Sequence, residues 1–305
     1  MIPGLFGWWH DDAVRRAWRP PYTGVRMPNY ICKTCGAQQA ESETPPEHCI
    51  ICEDERQYIG RGGQQWTTLE EMRAEGRKNR VRAVDPGIDS IYTEPTFAIG
   101  QRTLLVQTPG GNFLWDMISY IDDETIAAIK ERGGVHGIAI SHPHFYGVAV
   151  EYAHAFGAPI YIPEADRQWF VRPDPAVRWF SGAVEALPGV TVVQVGGHFE
   201  GSTVLHWGQG AEGRGALLTG DSISVAADRR WVTFMRSYPN FIPLPAEMIR
   251  SVLAAIEPYA FDRIYGGWYG NDVREDARAA VQRSAERYIR WAEGRTDEAK
   301  REGQR

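Results

Sequence analysis

Long hydrophobic runs are missing from this sequence: no stretch approaches the roughly 18 consecutive apolar residues that a membrane-spanning helix requires. The first 20 residues also lack the apolar core of a signal peptide, since Trp8, His10, Asp11 and Asp12 lie there. An excess of positive charge is missing as well, because the formal net charge is −6 and the pI is about 5.8. These absences disfavour membrane proteins and proteins that grip nucleic acid by its phosphates. We therefore expect a soluble, cytoplasmic protein.

Cysteine is scarce, and its four copies lie within 21 consecutive residues. They form two C-x-x-C pairs, Cys32 with Cys35 and Cys49 with Cys52. Two tight turns that each present two thiolates suit tetrahedral coordination of a metal better than a disulfide framework, and they fit a reducing compartment. The spacing therefore predicts a structural zinc site with these four ligands. It also resembles the knuckles of rubredoxin, so iron at this site is the alternative.

The patterning of apolar and polar residues divides the 305-residue chain into five parts. We expect an irregular N-terminal arm, a four-cysteine module, a connector, a mixed α/β domain and a charged tail, at 1–29, 30–60, 61–87, 88–293 and 294–305. Thr67 and Thr68 are candidate caps for a helix near 68–77 in the connector. In the α/β domain, short apolar strands alternate with helices. The elements on which later arguments depend are strands at 96–99, 103–107, 112–115 and 135–140, and helices at 122–132, 148–156, 245–256 and 272–291.

Three histidines and an aspartate follow the ends of predicted strands in this domain. His142 and His144 leave the strand at 135–140, His198 comes about 55 residues later, and Asp221 ends another apolar strand about 20 residues beyond. Strand ends are where mixed α/β proteins tend to build their sites. Three imidazoles and a carboxylate suit zinc, whereas two imidazoles and a carboxylate suit iron(II). The ordered set therefore predicts a metal site with these four residues as ligands.

Through this ordered set the chain resembles the metallo-β-lactamase superfamily over residues 88–270. The family motif His-x-His-x-Asp-His corresponds to His-Pro-His-Phe-Tyr-Gly at 142–147, and its Gly-His-Thr-x-Gly-Ser segment corresponds to Gly-His-Phe-Glu-Gly-Ser at 197–202. The bridging aspartate of the family corresponds to Asp221 in the segment Leu-Thr-Gly-Asp. The resemblance implies an α/β fold, a four-layer αββα sandwich, with the small zinc-knuckle module at its N-terminal side.

Ligands that the family uses for a second metal ion are absent from this sequence. Tyr146 and Gly147 stand where the motif has aspartate and histidine, and Trp268 stands near the family's last histidine. No histidine occurs after His206. Because a two-metal site needs ligands for a second ion about 3.5–4 Å from the first, the resemblance implies about one metal ion at the main site.

Three functions remain open on this resemblance. The first is a mononuclear zinc-dependent hydrolase of a small ester, thioester, lactone or amide, with Asp221 as ligand or general base and Tyr146 as a hydrogen-bond donor to substrate. The second is a mononuclear non-haem iron oxygenase of the persulfide-dioxygenase type, to which a rubredoxin-like module would supply electrons. The third is a non-catalytic metal-binding or sensing protein.

Three further residues are candidates for supporting roles near the metal. Arg236 follows Asp221 closely enough to line the cleft, where a guanidinium suits a carboxylate or phosphate. Trp268, in the place of the family's last histidine, is a second candidate for substrate contact. The architecture of the family suggests that Asp116 orients a metal-binding histidine.

Overall fold

The computed structural model of the protein describes residues 27–295. Most of the predicted arm (1–26 of 1–29) and most of the predicted tail (296–305 of 294–305) lie outside the described residues. Between residues 27 and 295, no helix combines the length and the hydropathy that crossing a membrane demands.

The four cysteines lie in a small module with its own three-stranded sheet. Its strands are β1 (Asn29–Cys32), β2 (Gln38–Glu41) and β3 (Trp66–Thr67), and β1 pairs antiparallel with both of the others. The short helix α1 (Ile50–Glu53) begins after Cys49 and carries Cys52. Helix α2 (Leu69–Ala74) follows β3 with a capping box, because Thr68 and Glu71 each bind the other's backbone N–H. The predicted helix in this segment is therefore confirmed.

The first large sheet has seven strands. They are β4 (Lys78–Asp85), β5 (Ile88–Glu94), β6 (Thr103–Thr108), β7 (Gly111–Trp115), β8 (Gly137–Ala139), β9 (Ile160–Pro163) and β10 (Val177–Phe180), and they lie side by side in reverse chain order. Strands β4 to β7 form an antiparallel meander, whereas β7 to β10 are parallel. Parallel neighbours need crossover connections, which are supplied here by α3 (Asp123–Glu131) and α4 (Ala149–Phe156).

The second large sheet has six strands, in the order β11-β12-β13-β14-β19-β20. The elements of this half are β11 (Ala183–Leu187), β12 (Val190–Gln194), β13 (Thr203–Trp207), α5 (Gly210–Gly213), β14 (Ala216–Thr219), β15 (Ser224–Val225), β16 (Val232–Thr233), β17 (Met235–Ser237), β18 (Ile242–Pro243), α6 (Ala246–Ile256), β19 (Arg263–Tyr265), β20 (Asp272–Val273) and α7 (Ala277–Ala292). The pairs β15–β16 and β17–β18 form two small ribbons outside this sheet.

Strand alternation stacks the two sheets and places helices on both outer faces. Leu104 of β6 and Leu205 of β13 belong to one buried cluster between the sheets, whereas Leu105 points to the face covered by α3 and α4. Val204 likewise points to the opposite outer face, which α6 and α7 cover. Because neighbouring residues of a strand face opposite sides, each strand contributes to two apolar layers. The predicted four-layer αββα sandwich is therefore confirmed.

One predicted strand is wrong and one predicted helix begins later than expected, each for a local reason. Residues 96–99 form a turn and not a strand, because Ala98 adopts φ +50° and Gly100 adopts φ +71°, which extended backbone excludes. The last helix begins at Ala277 and not at 272, because Asp272 and Val273 pair with β19 as an edge strand. The first strand of the seven-stranded sheet, β4, lies in the segment predicted as a connector. Its position at the sheet edge leaves much of it exposed, so it lacks a clear apolar alternation.

Candidate metal centres

The four cysteine sulfurs converge inside the small module and form what we call the cysteine centre. The Sγ atoms of Cys32 and Cys52 are 3.6 Å apart, and those of Cys35 and Cys49 are 3.8 Å apart. A disulfide would place sulfurs about 2.05 Å apart, and all four cysteines are free. Tetrahedral coordination with metal–sulfur bonds of about 2.3 Å gives sulfur–sulfur separations of about 3.8 Å. The observed spacing therefore fits one metal ion with four sulfur ligands.

Local contacts hold this cluster in place. The backbone N–H of Thr34 and the side-chain amide of Gln64 both donate to Cys32 Sγ, at 3.4 and 3.2 Å. Neighbouring thiols, Cys35 foremost, hold the pKa of the Cys32 thiol below its usual range, and the contact with Cys32 raises the pKa of the Cys35 thiol in turn. Gly36 closes the first knuckle with φ +81° and donates its N–H to the carbonyl of Cys32 at 2.8 Å. The hydrogen bonds from Thr34 and Gln64 stabilise negative charge on Cys32 Sγ, as metal ligation requires.

Three histidines and an aspartate form a second cluster, the histidine centre, at the ends of strands from both large sheets. His142 and His144 lie after β8, at the start of and within a short 3-10 helix (Pro143–Phe145). His198 lies in the turn between β12 and β13, and Asp221 follows β14. All four are buried, with exposures of 1, 2, 1 and 6% respectively. One ligand atom from each lies within 4.8 Å of all the others.

The distances within the histidine centre match a single ion. His144 Nδ1 is 3.2 Å from His198 Nε2, and Asp221 Oδ2 is 3.5 Å from His142 Nε2 and 3.8 Å from His198 Nε2. Tetrahedral coordination with bonds of about 2.0–2.1 Å gives ligand–ligand separations of about 3.3–3.4 Å. His142 Nε2 and Asp221 Oδ1 are buried atoms without a hydrogen-bond partner among residues 27–295. A cation at the centre would satisfy the nitrogen, so the residues present fit a metal ion.

Outer contacts fix the orientation and the protonation state of the imidazoles. His198 donates from Nδ1 to the backbone carbonyl of Met235 at 3.0 Å, which leaves Nε2 as the lone-pair nitrogen. His142 Nδ1 lies 2.8 Å from Ser141 Oγ. Burial lowers the pKa of His198 to about 3 and that of His142 and His144 well below the usual value. The rings are therefore neutral at physiological pH, as metal binding requires.

Asp116 supports this arrangement indirectly. Its Oδ1 accepts a hydrogen bond of 2.7 Å from the backbone N–H of Ser141, the residue whose hydroxyl contacts His142. Burial raises the pKa of Asp116 to about 8. The Asp116 carboxyl group thus fixes the backbone next to the ligand His142. Its hydrogen bonds among residues 27–295 do not include one to a histidine ring, which is the contact that the resemblance to the family implied.

The positions that hold a second metal in the family are used for packing. A Cβ atom on Gly147, at φ +48°, would lie 2.3 Å from the carbonyl oxygen of Ile118. Trp268 donates from its indole N–H to the carbonyl of Ile99 at 3.0 Å, and its ring packs edge-on against Phe145 at 5.6 Å. Phe145 in turn lies 4.3 Å from the ring of His142. The geometry therefore provides ligands for one ion.

The remaining predicted site residues have structural partners. The Tyr146 ring packs against Phe170 at 5.1 Å, and burial raises the pKa of its hydroxyl well above the usual value. Arg236 pairs with Glu55 at 2.5 Å, on the side of His198 that faces the cysteine module. The roles of Tyr146 in catalysis and of Arg236 and Trp268 in substrate binding stay predictions.

Sequence reasoning missed Arg56, which the cysteine module inserts beside the histidine centre. This side chain is 2% exposed, and its guanidinium carbon lies 4.2 Å from the centre of the Phe199 ring. It pairs with Asp54 at 3.1 Å and with Glu200 at 2.8 Å. Nothing in the sequence marks this arginine, because its partner Glu200 is 144 residues away.

A buried carboxylate secures the turn that carries His198. Asp166 Oδ1 accepts a hydrogen bond of 2.8 Å from the N–H of Gly201, and burial raises the pKa of Asp166 to about 7. Because ionisation is disfavoured in the folded state, Asp166 lowers stability as pH rises from about 4 through about 7. Asp166→Asn is therefore expected to raise the free energy of unfolding by about 2–4 kcal/mol at pH 8 and to have little effect near pH 4.

Urea unfolding at pH 4, 6 and 8 measures this difference. The surface substitution Asp228→Asn controls for the general loss of one negative charge. A difference between Asp166→Asn and wild type that stays constant over this pH range would contradict the expectation.

Known structures share this architecture. VMB-1 superposes with a TM-score of 0.50 and 15% identity, over 68% of this chain and 96% of that one. The metallo-β-lactamase FIM-1 from Pseudomonas aeruginosa, solved in its mono-zinc form, gives a TM-score of 0.48 and 14% identity, over 68% and 96%. At 15% identity, the superposition with VMB-1 shows a shared fold and no more. The fold and the two clusters therefore define a metallo-β-lactamase fold protein with an N-terminal four-cysteine cluster.

Sequence comparison narrows this class to one family. No protein-family model matches the chain. The chain is 52% identical to the uncharacterized protein YmaE of Bacillus subtilis (strain 168) over 266 residues, which is 87% of this chain and 97% of YmaE. The chain therefore belongs to the YmaE family.

Proposed function

We propose that the protein is a mononuclear zinc-dependent hydrolase that acts on a small ester, thioester, lactone or amide. The observation that supports this is the convergence of three imidazole nitrogens and one carboxylate oxygen, all within 4.8 Å of one another and with three of the separations at 3.2–3.8 Å. His142, His144, His198 and Asp221 would hold the ion, and neutral imidazoles with a carboxylate are ligands that zinc favours. When bound, zinc supplies Lewis acidity, which polarises a substrate carbonyl.

Asp221 has the chemistry of a general base in this proposal. Its Oδ2 lies 3.5–3.8 Å from the imidazole nitrogens of His142 and His198, whereas its Oδ1 has no hydrogen-bond partner among residues 27–295 and can accept a proton. We propose that Oδ1 accepts a proton from the attacking water and returns it to the leaving oxygen, sulfur or nitrogen as the acyl bond breaks.

We propose structural zinc for the cysteine centre. Four sulfurs complete a tetrahedral shell and leave no position for substrate, and the cluster is buried within its module. Iron at this centre is the alternative that the resemblance to rubredoxin keeps open.

A second candidate function, a non-catalytic metal-binding protein, is favoured by the burial of the histidine centre. Each of its four side chains is at most 6% exposed. Four protein ligands fill a tetrahedral shell, whereas catalytic zinc sites keep one position open. In this function the four ligands leave no position for substrate, and the protein binds or senses metal without turnover.

A panel of chromogenic esters, thioesters, lactones and anilides tests the hydrolase proposal. Zinc-loaded protein is expected to hydrolyse at least one class, and removal of the ion from the histidine centre with a chelator should abolish the activity. Asp221→Asn should reduce kcat by about 10²–10⁴-fold if Oδ1 is the base. Zinc-loaded protein that is inactive with every class would favour the binding function instead.

A further inference from the structure

Residues 54–57, which we call the bridging segment, join the two metal centres. The segment begins two residues after the ligand Cys52 and forms a fixed turn, in which the N–H of Arg56 donates to Asp54 Oδ1 at 3.0 Å. The N–H of Gln57 donates to the carbonyl of Asp54, also at 3.0 Å. Arg56 and Gln57 are buried. The position of this turn therefore depends on the knuckle from which it emerges.

The bridging segment holds the end of β17 from one side. Ser237 Oγ donates to the carbonyl of Arg56 at 3.0 Å. The side-chain amide of Asn240 donates to the carbonyls of Glu55 and Gln57, at 2.8 and 2.9 Å. Strand β17 begins with Met235, whose carbonyl accepts the hydrogen bond from His198 Nδ1. The acceptor that orients this ring is thus tied to the cysteine module by these three hydrogen bonds and by the ion pair between Arg236 and Glu55.

The same segment holds the other side of His198. The Arg56 guanidinium covers the ring of Phe199 and pairs with Glu200, the two residues that follow His198 in the chain. The Phe199 ring in turn lies 5.2 Å from the imidazole of His198. Residues 55–57 therefore contact two features that position His198. One is the strand that carries the carbonyl of Met235, and the other is the turn that carries His198 itself.

We infer that the cysteine centre is a positioning element for the histidine centre: occupancy of the four-sulfur site, transmitted through the bridging segment, sets the metal affinity of the histidine site. The inference rests on the proposed metal content of both centres. A four-sulfur module folds around its ion, so an empty cysteine centre leaves residues 54–57 without their anchor. Loss of the outer hydrogen bonds of a ligating histidine weakens metal affinity by about 10–100-fold. Ser237 and Asn240 are positioning residues in this scheme.

The test compares two variants that each remove contacts between module and domain. Ser237→Ala/Asn240→Ala removes the three hydrogen bonds that these two side chains donate to the bridging segment and leaves the Arg236–Glu55 ion pair, whereas Gln38→Ala removes a module contact with Glu151 on α4. Zinc affinity of the histidine centre is measured by competition with a chromophoric chelator, starting from protein that retains only the cysteine-bound ion. The double variant is expected to bind zinc about 10–100-fold more weakly, and Gln38→Ala to bind like wild type.

A Cys52→Ala variant provides the second arm. Cobalt(II) serves as the probe, because thiolate-to-cobalt charge-transfer absorption reports the cysteine centre separately from the histidine centre. We expect Cys52→Ala to lose this absorption and to bind cobalt at the histidine centre at least as weakly as the double variant. Wild-type affinity in the double variant, or equal weakening by Gln38→Ala, would overturn the inference. Wild-type protein that binds no ion at the histidine centre would instead overturn the proposed function on which the inference rests.

Discussion

The His198→Ala variant is expected to contain one metal equivalent per chain where wild-type protein contains two. The substitution removes a ligand nitrogen that lies 3.2 Å from His144 Nδ1 and 3.8 Å from Asp221 Oδ2. Loss of one of the four ligands weakens zinc binding at the histidine centre, so we expect the ion to be lost during purification and hydrolysis to be lost with it. The measurement is elemental analysis of purified protein, combined with the substrate panel.

The cysteine-bound ion should survive this substitution. Structural zinc sites contribute about 10–16 kcal/mol of binding free energy, whereas a 10–100-fold coupling between centres is only about 1.4–2.8 kcal/mol. His206→Ala is the matched control, because His206 is also a histidine of the second sheet and donates to the carbonyl of Ala260. It should keep both ions. Loss of both ions, or of neither, from His198→Ala would contradict the two-centre arrangement.

The identity of the ion separates the remaining functions. Zinc in the histidine centre of protein purified without added metal would support the hydrolase. Iron retained there in a Cys32/Cys35 double variant would favour the oxygenase alternative. Absence of metal from the histidine centre would leave the fold without the chemistry that we propose for it.

Substitution of Gly147 should destabilise the protein far more than substitution of another glycine with the same backbone conformation. Gly147→Ala places a methyl group 2.3 Å from the carbonyl oxygen of Ile118 and 2.7 Å from that of Met117. Both neighbours are backbone atoms, so relief requires movement of the chain between β7 and α3. We expect a loss of about 4 kcal/mol or more in the free energy of unfolding, because strain and overpacking act together.

Gly157→Ala is the matched control for this prediction. Gly157 caps α4 at φ +66°, close to the φ of +48° at Gly147, and has no atom within 4 Å of an added Cβ. Its substitution should cost about 1 kcal/mol, the conformational part alone. Urea unfolding of both variants separates the cost of the backbone conformation from the cost of the steric clash. Equal losses would show that Gly147 is required only for its backbone angle, and a histidine could then be tolerated at that position.

The sequence predicted the parts of the two centres that depend on local spacing. Each C-x-x-C pair lies in one tight turn, and the His-x-His pair leaves one strand end, so residue spacing alone predicts convergence within each pair. The structure brings all four residues of each set together. The sandwich was predicted through the resemblance that the ordered histidines and Asp221 carry, and the structure shows strands such as β6 contributing to two apolar layers.

Contacts between distant parts of the chain were beyond such reasoning. The hydrogen bond from Ser237 to the carbonyl of Arg56 joins residues 181 positions apart, and no sequence motif connects the two positions. The edge strand β4 was missed because one face is exposed and charged residues interrupt its alternation. The ion pair between Arg236 and Glu55 was equally unpredictable, because Glu55 lies in another module and no local pattern connects the two residues.

The close approach of Gly36 to Ser119 limits how this protein can be recombined with others. A Cβ atom at Gly36 would lie 2.0 Å from Ser119 Oγ, so the first knuckle and the chain after β7 occupy complementary spaces. A graft of residues 30–60 onto another sandwich of this fold would have to carry a small residue at the position of Ser119 as well. The four-cysteine module therefore cannot be transferred alone, because its surface is complementary in shape to that of its own domain. A transfer would have to include the residues on both sides of this contact.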